Sequence, residues 1–410
     1  MMATASRKPG ADNSSSALSS SAQVKIRVGS SYRELACVFT LIFLPVIIFL
    51  IHSSSPAPSD PISLQRVEKI EDDPVLPFCE PPLHFLTEHS LLDCAARKAR
   101  LHERNSRNVA SKGKPGPQRL AFCFLSRGHL PHEHLWRRFF HGQEELHSIY
   151  VHTHPSFQFP NTSLFYGHQV PSEKVERMSI SLVDAMRRLM AYAVLDPEHG
   201  STNSWFIFAC EVTIPIRSFS YTYDYLTKSR HSFVESFAPV SRYYSWETLP
   251  EFERWRLRKG EVWMALQRRH AAMILGDWSI YFKFRSQCTF GCNPDESYVQ
   301  TFLALVDPGG IANRTVMYVD WTGIHISSPK TFEDRHMSPQ WVQDIQGRRA
   351  DGDGQYHDTS LDMEVRNLSR ITRTCYYNGV PNSACFLFVR KVGPRASPLL
   401  GNFTQSILGY

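Results

Sequence analysis

Apolar positions are distributed in two contrasting ways along the 410 residues. From Leu35 to Ile51 (LACVFTLIFLPVIIFLI) seventeen consecutive residues carry no charge, and His52 and small uncharged residues extend the stretch to Pro58. As a helix, at ~1.5 Å per residue, the run reaches about 26 Å, enough for the thinner bilayers of the early secretory pathway. The rival reading is a cleaved signal peptide. Thirty-four residues precede the run and no clean small-x-small cleavage pattern follows it, which favours an uncleaved anchor over residues 35–55. Pro45 falls mid-span, where a membrane helix tolerates a local kink.

Beyond Arg119 the pattern breaks into short pieces. RLAFCFLSRG is an apolar run ending at a glycine turn, and HLPHEHLWRRFFHGQ then shows helical spacing. LHSIYVHTHP predicts a second strand, ISLVDAMRRLMAYAVLD an amphipathic helix, and SWFIFACEVTIPI a third buried strand. Strand and helix in alternation predict an α/β sheet with helices on its faces. Further on, VWMALQRRHAAMILGD predicts a helix, TVMYVDW a strand, and Asn378-Gly379 a turn within CYYNGVPNSACFLFVRK. GRRADGDGQYHD, around residues 347 to 358, reads as a surface loop. The stretch between span and body is rich in Pro, Ser and charge, with no sustained apolar period except near Leu83 to Leu92, and predicts a spacer.

Charge orients the chain. Lys25, Arg27 and Arg33 precede the span, whereas the next basic residue after it is Arg66, so the N-terminus is expected in the cytosol. The formal charge of +6 is spread without dense basic runs, which argues against nucleic acid as a partner. Asn-x-Ser/Thr sequons at Asn161, Asn313, Asn367 and Asn402 all lie beyond the span, where glycosylation is possible, and the one at Asn13 would face the cytosol. Of the nine cysteines, all but Cys37 lie on the luminal side. Cys123 and Cys210 sit in strand-like runs as buried thiols, leaving Cys79, Cys94, Cys288, Cys292, Cys375 and Cys385 as disulfide candidates, with Cys79 and Cys94 placed to staple the spacer to the body. Zinc is the competing reading for Cys288 and Cys292, without a second ligand pair at matching spacing.

Several blocks, in order, resemble the plant branch of the core-2/I-branching β-1,6-N-acetylglucosaminyltransferase-like proteins, glycosyltransferase family 14. They are LAFCFLSRGHLP, SIYVHTHPSF, ISLVDAMRRLMAYAVLDP, FIFACEVTIPI, HSFVES, RKGEVWMAL, CNPDESYVQTF, YVDW, and CYYNG followed by CFLFVRK, spanning roughly Arg119 to Pro398. The resemblance implies a GT-A type, Rossmann-like α/β domain that binds a UDP-sugar at the carboxyl ends of its first strands and inverts the sugar carbon. The expected organisation is a cytosolic tail (1–34), a signal anchor (35–55), a luminal stem (56–118) and a catalytic domain (119–410) of a type II Golgi membrane protein.

By position, Glu296 in Asn293-Pro294-Asp295-Glu296 matches the family's Asp-Glu motif and is the expected base, the carboxylate that takes the acceptor proton. The bland alternative is that Asp295 and Glu296 cap a helix starting near Ser297. Relatives usually place His where this chain has Ser297, and Ser where it has Glu261. Many GT-A enzymes hold a metal on Asp-x-Asp after a buried strand, but FIFACEVTIPI offers only Glu211 there, and Asp351-Gly352-Asp353 lies far downstream. The family instead resembles metal-independent transferases, so no metal cofactor is expected. Lys391 matches its C-terminal lysine as a cation for the diphosphate, with Arg373 as partner. Arg127 and the histidines around His154 end the first two strands and are expected to border the nucleotide, with Glu211 nearby, while Asp184 matches a helix residue common in relatives. On the acceptor side stand Lys259, Glu261, Trp263 and Trp321; either tryptophan is a sugar-stacking candidate or simply core.

The expected activity is transfer of N-acetylglucosamine or a related sugar to a glycan or glycoprotein acceptor, with homo- or hetero-oligomers of transferases as possible assemblies. A second reading is a non-catalytic Golgi protein of the same fold that partners active transferases. A glycosidase is a third, for which Glu296 lacks an identifiable second carboxylate.

Overall fold

This computed structural model describes residues 79, 83, 86–110, 118–238, 256–288, 292–320, 328–347, 355–357, 372–381, 384–402 and 404–410. All belong to one compact unit, Pro74–Tyr410. The span expected at 35–55 lies outside them, and among the described residues no helix is long and apolar enough to cross a membrane.

The centre is a four-stranded sheet. Strands β1 (Arg119–Leu125), β2 (His147–His152) and β3 (Asn203–Cys210) run parallel in the order β2-β1-β3. All seven residues of β1 are buried, as expected of a parallel strand covered on both faces. The pleat divides its side chains between two cores. Ala121, Cys123 and Leu125 point into one with Tyr150, Phe206 and Phe208. Leu120, Phe122 and Phe124 point into the other with Ile149, Val151, Trp205 and Ile207.

Helices fill both sides. The first core receives Leu189 and Val194 of the Ile180–Leu195 helix, Ile274 of Arg268–Gly276, Phe284 of Ser279–Gln287 and Leu303 of Tyr298–Val306. The second receives Trp136 and Phe139 of Glu133–Phe140, and Phe219 and Leu226 of Phe219–Thr227. The result is a mixed α/β fold with the helices on both faces of the sheet, as the alternating pattern predicts. Serine caps start two of these helices: Ser179 Oγ accepts from Ser181 N, and Ser218 Oγ from Tyr221 N.

Smaller pieces complete the body. β4 (Ile214–Pro215) and β6 (Met317–Tyr318) flank a later strand, β11 (Phe388–Val389), in a three-stranded sheet. The helix expected over VWMALQRRHAAMILGD begins later than its apolar pattern suggests. Ala265–Gln267 forms β5, antiparallel to the edge of β3, and the helix starts at Arg268. Pairing with an open strand edge overrides local helical spacing here. Gln355–His357 (β7) pairs with Thr372–Thr374 (β8), so part of the expected 347–358 loop is strand. Tyr376–Tyr377 (β9) and Val380–Pro381 (β10) form a hairpin whose turn residues, Asn378 and Gly379, have φ of 53° and 86°, the left-handed pair that Asn-Gly accommodates.

The packed body also begins before residue 119. Glu88–Ala110, within the segment read as stem, is a 23-residue helix that buries Leu91, Leu92, Cys94, Ala95, Ala96 and Ala99 in the first core. Its apolar stripe is made largely of alanine and flanked by arginine and lysine, which hides the periodicity. Cys79 is bonded to Cys94 of this helix, Cys288 to Cys292, and Cys375 to Cys385. With Cys288 and Cys292 joined, their sulfurs do not form the zinc pair. Cys123 and Cys210 are buried free thiols.

Candidate active site

Register sets the first half of the site. Leu125 lies opposite both His152 and Cys210, so β1, β2 and β3 end level and their next residues emerge together. Arg127 Nε lies 3.2 Å from Glu211 Oε1, joining the exits of β1 and β3. The arginine side chain is 94% exposed, so the pair contributes little stability and leaves the guanidinium accessible. His154 is exposed beyond β2, with Nδ1 2.7 Å from Ser156 Oγ. His152 is instead buried, its pKa pushed down to about 4 by burial and then by the Arg188 guanidinium. Neutral, it presents Nε2 3.1 Å from Arg188 Nη1, and Arg188 Nη2 donates to Glu88 Oε1 at 2.9 Å. Asp184 accepts from the Tyr281 hydroxyl, and its other oxygen lies 3.4 Å from Arg285 Nη1.

The small sheet carries two cations to the same end. Val392 N donates to Val212 O at 2.9 Å, which fastens the chain leaving β11 to the turn leaving β3. Arg390 and Lys391 lie between β11 and that bond. Lys391 Nζ donates to Ser328 Oγ. Burial, then the Arg390 and Arg177 guanidiniums, hold its pKa below that of an ordinary lysine. Arg390 lies over the Trp263 ring, 4.7 Å from its centroid, and its Nη1 is 3.6 Å from Glu261 Oε2; both of these ion-pair side chains are only 11% exposed.

The carboxylate comes from the other direction. Asn293 takes a left-handed φ of 49°, and Pro294–Glu296 then forms one 3₁₀ turn ahead of the Tyr298–Val306 helix. Glu296 Oε2 is 3.5 Å from Lys259 Nζ, and Glu296 O accepts from Gly260 N at 3.0 Å. Gly260 is required by space, since a Cβ would stand 2.1 Å from Glu235 O. Glu261 N donates to Glu235 Oε2 at 3.0 Å, and Gln300 Nε2 donates to the Gly260 and Glu261 carbonyls at 3.3 and 3.1 Å. Ser297 is 3% exposed and its hydroxyl donates to Cys292 O at 3.2 Å, bracing the loop closed by the Cys288–Cys292 bond.

Glu296 thus pairs with Lys259, and Arg390 with Glu261 and the Trp263 ring, so that the 259–263 strip receives the carboxylate at one end and Arg390, the sequence neighbour of Lys391, at the other. Arg127, Glu211 and His154 sit along the strand ends that Lys391 approaches. Trp321, Asn367, Asp351 and Asp353 lie outside the described residues, as does the Arg373 side chain; the Arg373 backbone pairs with Tyr356 in β8. Asn161, Asn313 and Asn402 are exposed. Among the described residues no group of three His, Cys, Asp or Glu is arranged to hold a metal ion.

Sequence reasoning missed Asp295 and Glu235 as structural parts of this site. Asp295 is 4% exposed and leaves Oδ1 without a hydrogen-bond partner. Burial, then the Glu296 charge, pushes its pKa up to about 7. A carboxyl that binds its proton more tightly folded than unfolded stabilises the fold below the unfolded value near 3.9, and that stabilisation is lost as pH rises to about 7. Asp295→Asn, neutral throughout, is therefore expected to gain on the parent by roughly 2 kcal/mol between pH 5 and 7. Melting curves at each pH check this; parallel pH profiles for the two proteins would remove the effect.

Residues 120–346 match the family described as Core-2/I-Branching enzyme. The match takes in Lys259, Glu261 and Glu296, while Arg390 and Lys391 lie beyond it. A protein named glycosyltransferase BC10, from Oryza sativa subsp. japonica, is 32% identical over 319 residues, covering 68% of this chain and 74% of the relative.

Proposed function

The chain belongs to the core-2/I-branching enzyme family and is a glycosyltransferase, and from that premise we propose that it transfers N-acetylglucosamine or a related sugar, with inversion, from a UDP-sugar to a glycan or glycoprotein hydroxyl. The domain is read as GT-A type, with the nucleotide along the exits of β1, β2 and β3 beside Arg127, Glu211 and His154. The acceptor lies against Lys259, Glu261, Trp263 and Trp321. Residues 35–55 anchor it as a type II protein with the body in the Golgi lumen.

The observation that supports the reading is that Glu296 pairs with Lys259 and Arg390 with Glu261, so the carboxylate and the cation next to Lys391 in sequence are both held by the 259–261 strip. As the acceptor oxygen bonds to the sugar carbon, its proton passes to the Glu296 carboxylate. The bond from that carbon to the diphosphate oxygen breaks, and its electron pair leaves with UDP. Lys391, with Arg390 beside it and Arg373 as its expected partner, meets the charge that develops there, so the reading needs no metal.

Two observations favour a second reading, a non-catalytic partner of active transferases: Glu261 already occupies Arg390, and Ser297 is engaged with Cys292 instead of lying open beside Glu296. A screen of UDP-sugars with the full-length protein in detergent, with and without EDTA, separates the two. The expected result is transfer from at least one donor, undiminished by EDTA, with a β-linkage formed from an α-linked donor. A well-folded protein that binds neither UDP nor any UDP-sugar at millimolar concentration supports the second reading.

A further inference from the structure

In the proposed reaction the sugar carbon stands between the carboxylate that takes the acceptor proton and the cations that receive the diphosphate. The 259–261 strip runs between those two parties: it holds Glu296 through Lys259, and through Glu261 it holds Arg390, the sequence neighbour of Lys391. The backbone of the strip is fixed from two sides. Glu261 N donates to Glu235 Oε2 at 3.0 Å, and Gln300 Nε2 donates to Glu261 O at 3.1 Å. Glu261 is therefore a held carboxylate beside the place of the transferred sugar.

The charges along the strip are matched. Lys259 faces Glu296 at 3.5 Å, and Glu261 faces Arg390 at 3.6 Å with both side chains largely buried. The second pair is too long for a hydrogen bond. Arg390 Nε is buried with no hydrogen-bond partner among the described residues, and the guanidinium lies 4.7 Å from the centroid of the Trp263 ring. Arg390 is thus held by the Glu261 charge and an aromatic face, with little water around it. An arginine so placed is a natural partner for a sugar carboxylate, and here the protein supplies the carboxylate itself. A sugar acid would bring a second carboxylate to a cation already balanced, with little solvent to screen the repulsion. A neutral sugar meets no such cost.

We infer that Glu261 is a specificity-determining residue: it fills the place at Arg390 that a sugar carboxylate would take, and so reserves the donor site for neutral sugars and rejects uronic acids. This rests on the reading of the site as one for a UDP-sugar. The test is calorimetry of UDP, UDP-glucose and UDP-glucuronate with the full-length protein in detergent, with thermal melts to verify folding. The two donors differ only in a hydroxymethyl group against a carboxylate, and the ratio of their affinities is the readout, so a change common to both cancels. The parent is expected to bind UDP-glucuronate at least about 10-fold more weakly than UDP-glucose. Glu261→Gln, which keeps the shape and removes the charge, brings the two within about 3-fold or reverses their order. Glu261→Asp, which keeps the charge, keeps the parent's preference.

Should Glu261→Gln not fold because it leaves a buried arginine unpaired, Glu261→Gln combined with Arg390→Gln removes both charges and is expected to show the same loss of preference. Equal affinities for the two donors in the parent, or tighter binding of UDP-glucuronate, overturn the inference. So does a preference that survives unchanged once the Glu261 charge is removed. In each of these cases binding of UDP leaves the donor reading standing. If neither UDP nor either donor binds, the donor reading falls and the inference with it.

Discussion

Glu296→Gln is expected to lower kcat for sugar transfer by about 10²–10⁴-fold, the usual contribution of a positioned general base, with UDP affinity and melting temperature nearly unchanged. The substitution keeps the shape of the side chain and an oxygen able to accept from Lys259, which lies 3.5 Å away. It removes the capacity to take a proton. Binding of the donor depends on the strand exits and on Lys391, not on Glu296, so the loss belongs in kcat and equally in kcat/KM. Steady-state transfer with saturating donor and varied acceptor measures it. Undiminished turnover by the variant would remove Glu296 from the reaction. A rise in KM with kcat unchanged would recast it as an acceptor-binding residue held by Lys259.

Much of the architecture was legible because a buried parallel strand has a strong signature. RLAFCFL and SWFIFAC are continuous apolar runs, and each became a central strand flanked by helices with a 3.6-residue period. The Glu88–Ala110 helix was not legible over its full length, since beyond Leu91 and Leu92 only cysteine and alanine supply its buried face, and such a stripe barely differs in hydrophobicity from a linker. β5 was missed for a different reason: three residues take their strand geometry from the edge of β3, and no local pattern records a partner elsewhere in the chain.

The candidate site divides in the same way. Glu296 and Lys391 could be picked out because the blocks around them resemble a family, but where each is held depends on contacts far apart in sequence, such as Val392 with Val212 and Gly260 with Glu296. Asp295 has no role of its own in the sequence beyond sharing, with Glu296, the bland alternative of a helix cap, because burial cannot be seen in a string of letters. Ser297 and Glu261 depart from the family pattern. The structure gives each a physical role, one bracing a disulfide-closed loop and one paired with Arg390.

Lys391→Met is the second large effect expected, a fall in kcat of about 10²–10³-fold, as for removal of one donor from a site of developing negative charge. Methionine preserves the length and apolar stem of the side chain, so the packing beside Ser328 and β11 is kept while the charge is lost. The ground-state loss is smaller, about 10-fold in UDP-sugar affinity, because full charge on the diphosphate appears only as the sugar leaves. The pH profile gives an independent check. Burial and the neighbouring guanidiniums hold the Lys391 pKa below the ordinary lysine value, so its positive charge is complete at low pH and is lost earlier than usual as pH rises. Activity of the parent should therefore fall on the alkaline side before an ordinary lysine would titrate. Lys391→Arg, which stays charged there, should keep measurable activity and move that limb upward. An alkaline limb that stays in place in Lys391→Arg, with full activity in Lys391→Met, would assign the leaving group to other cations.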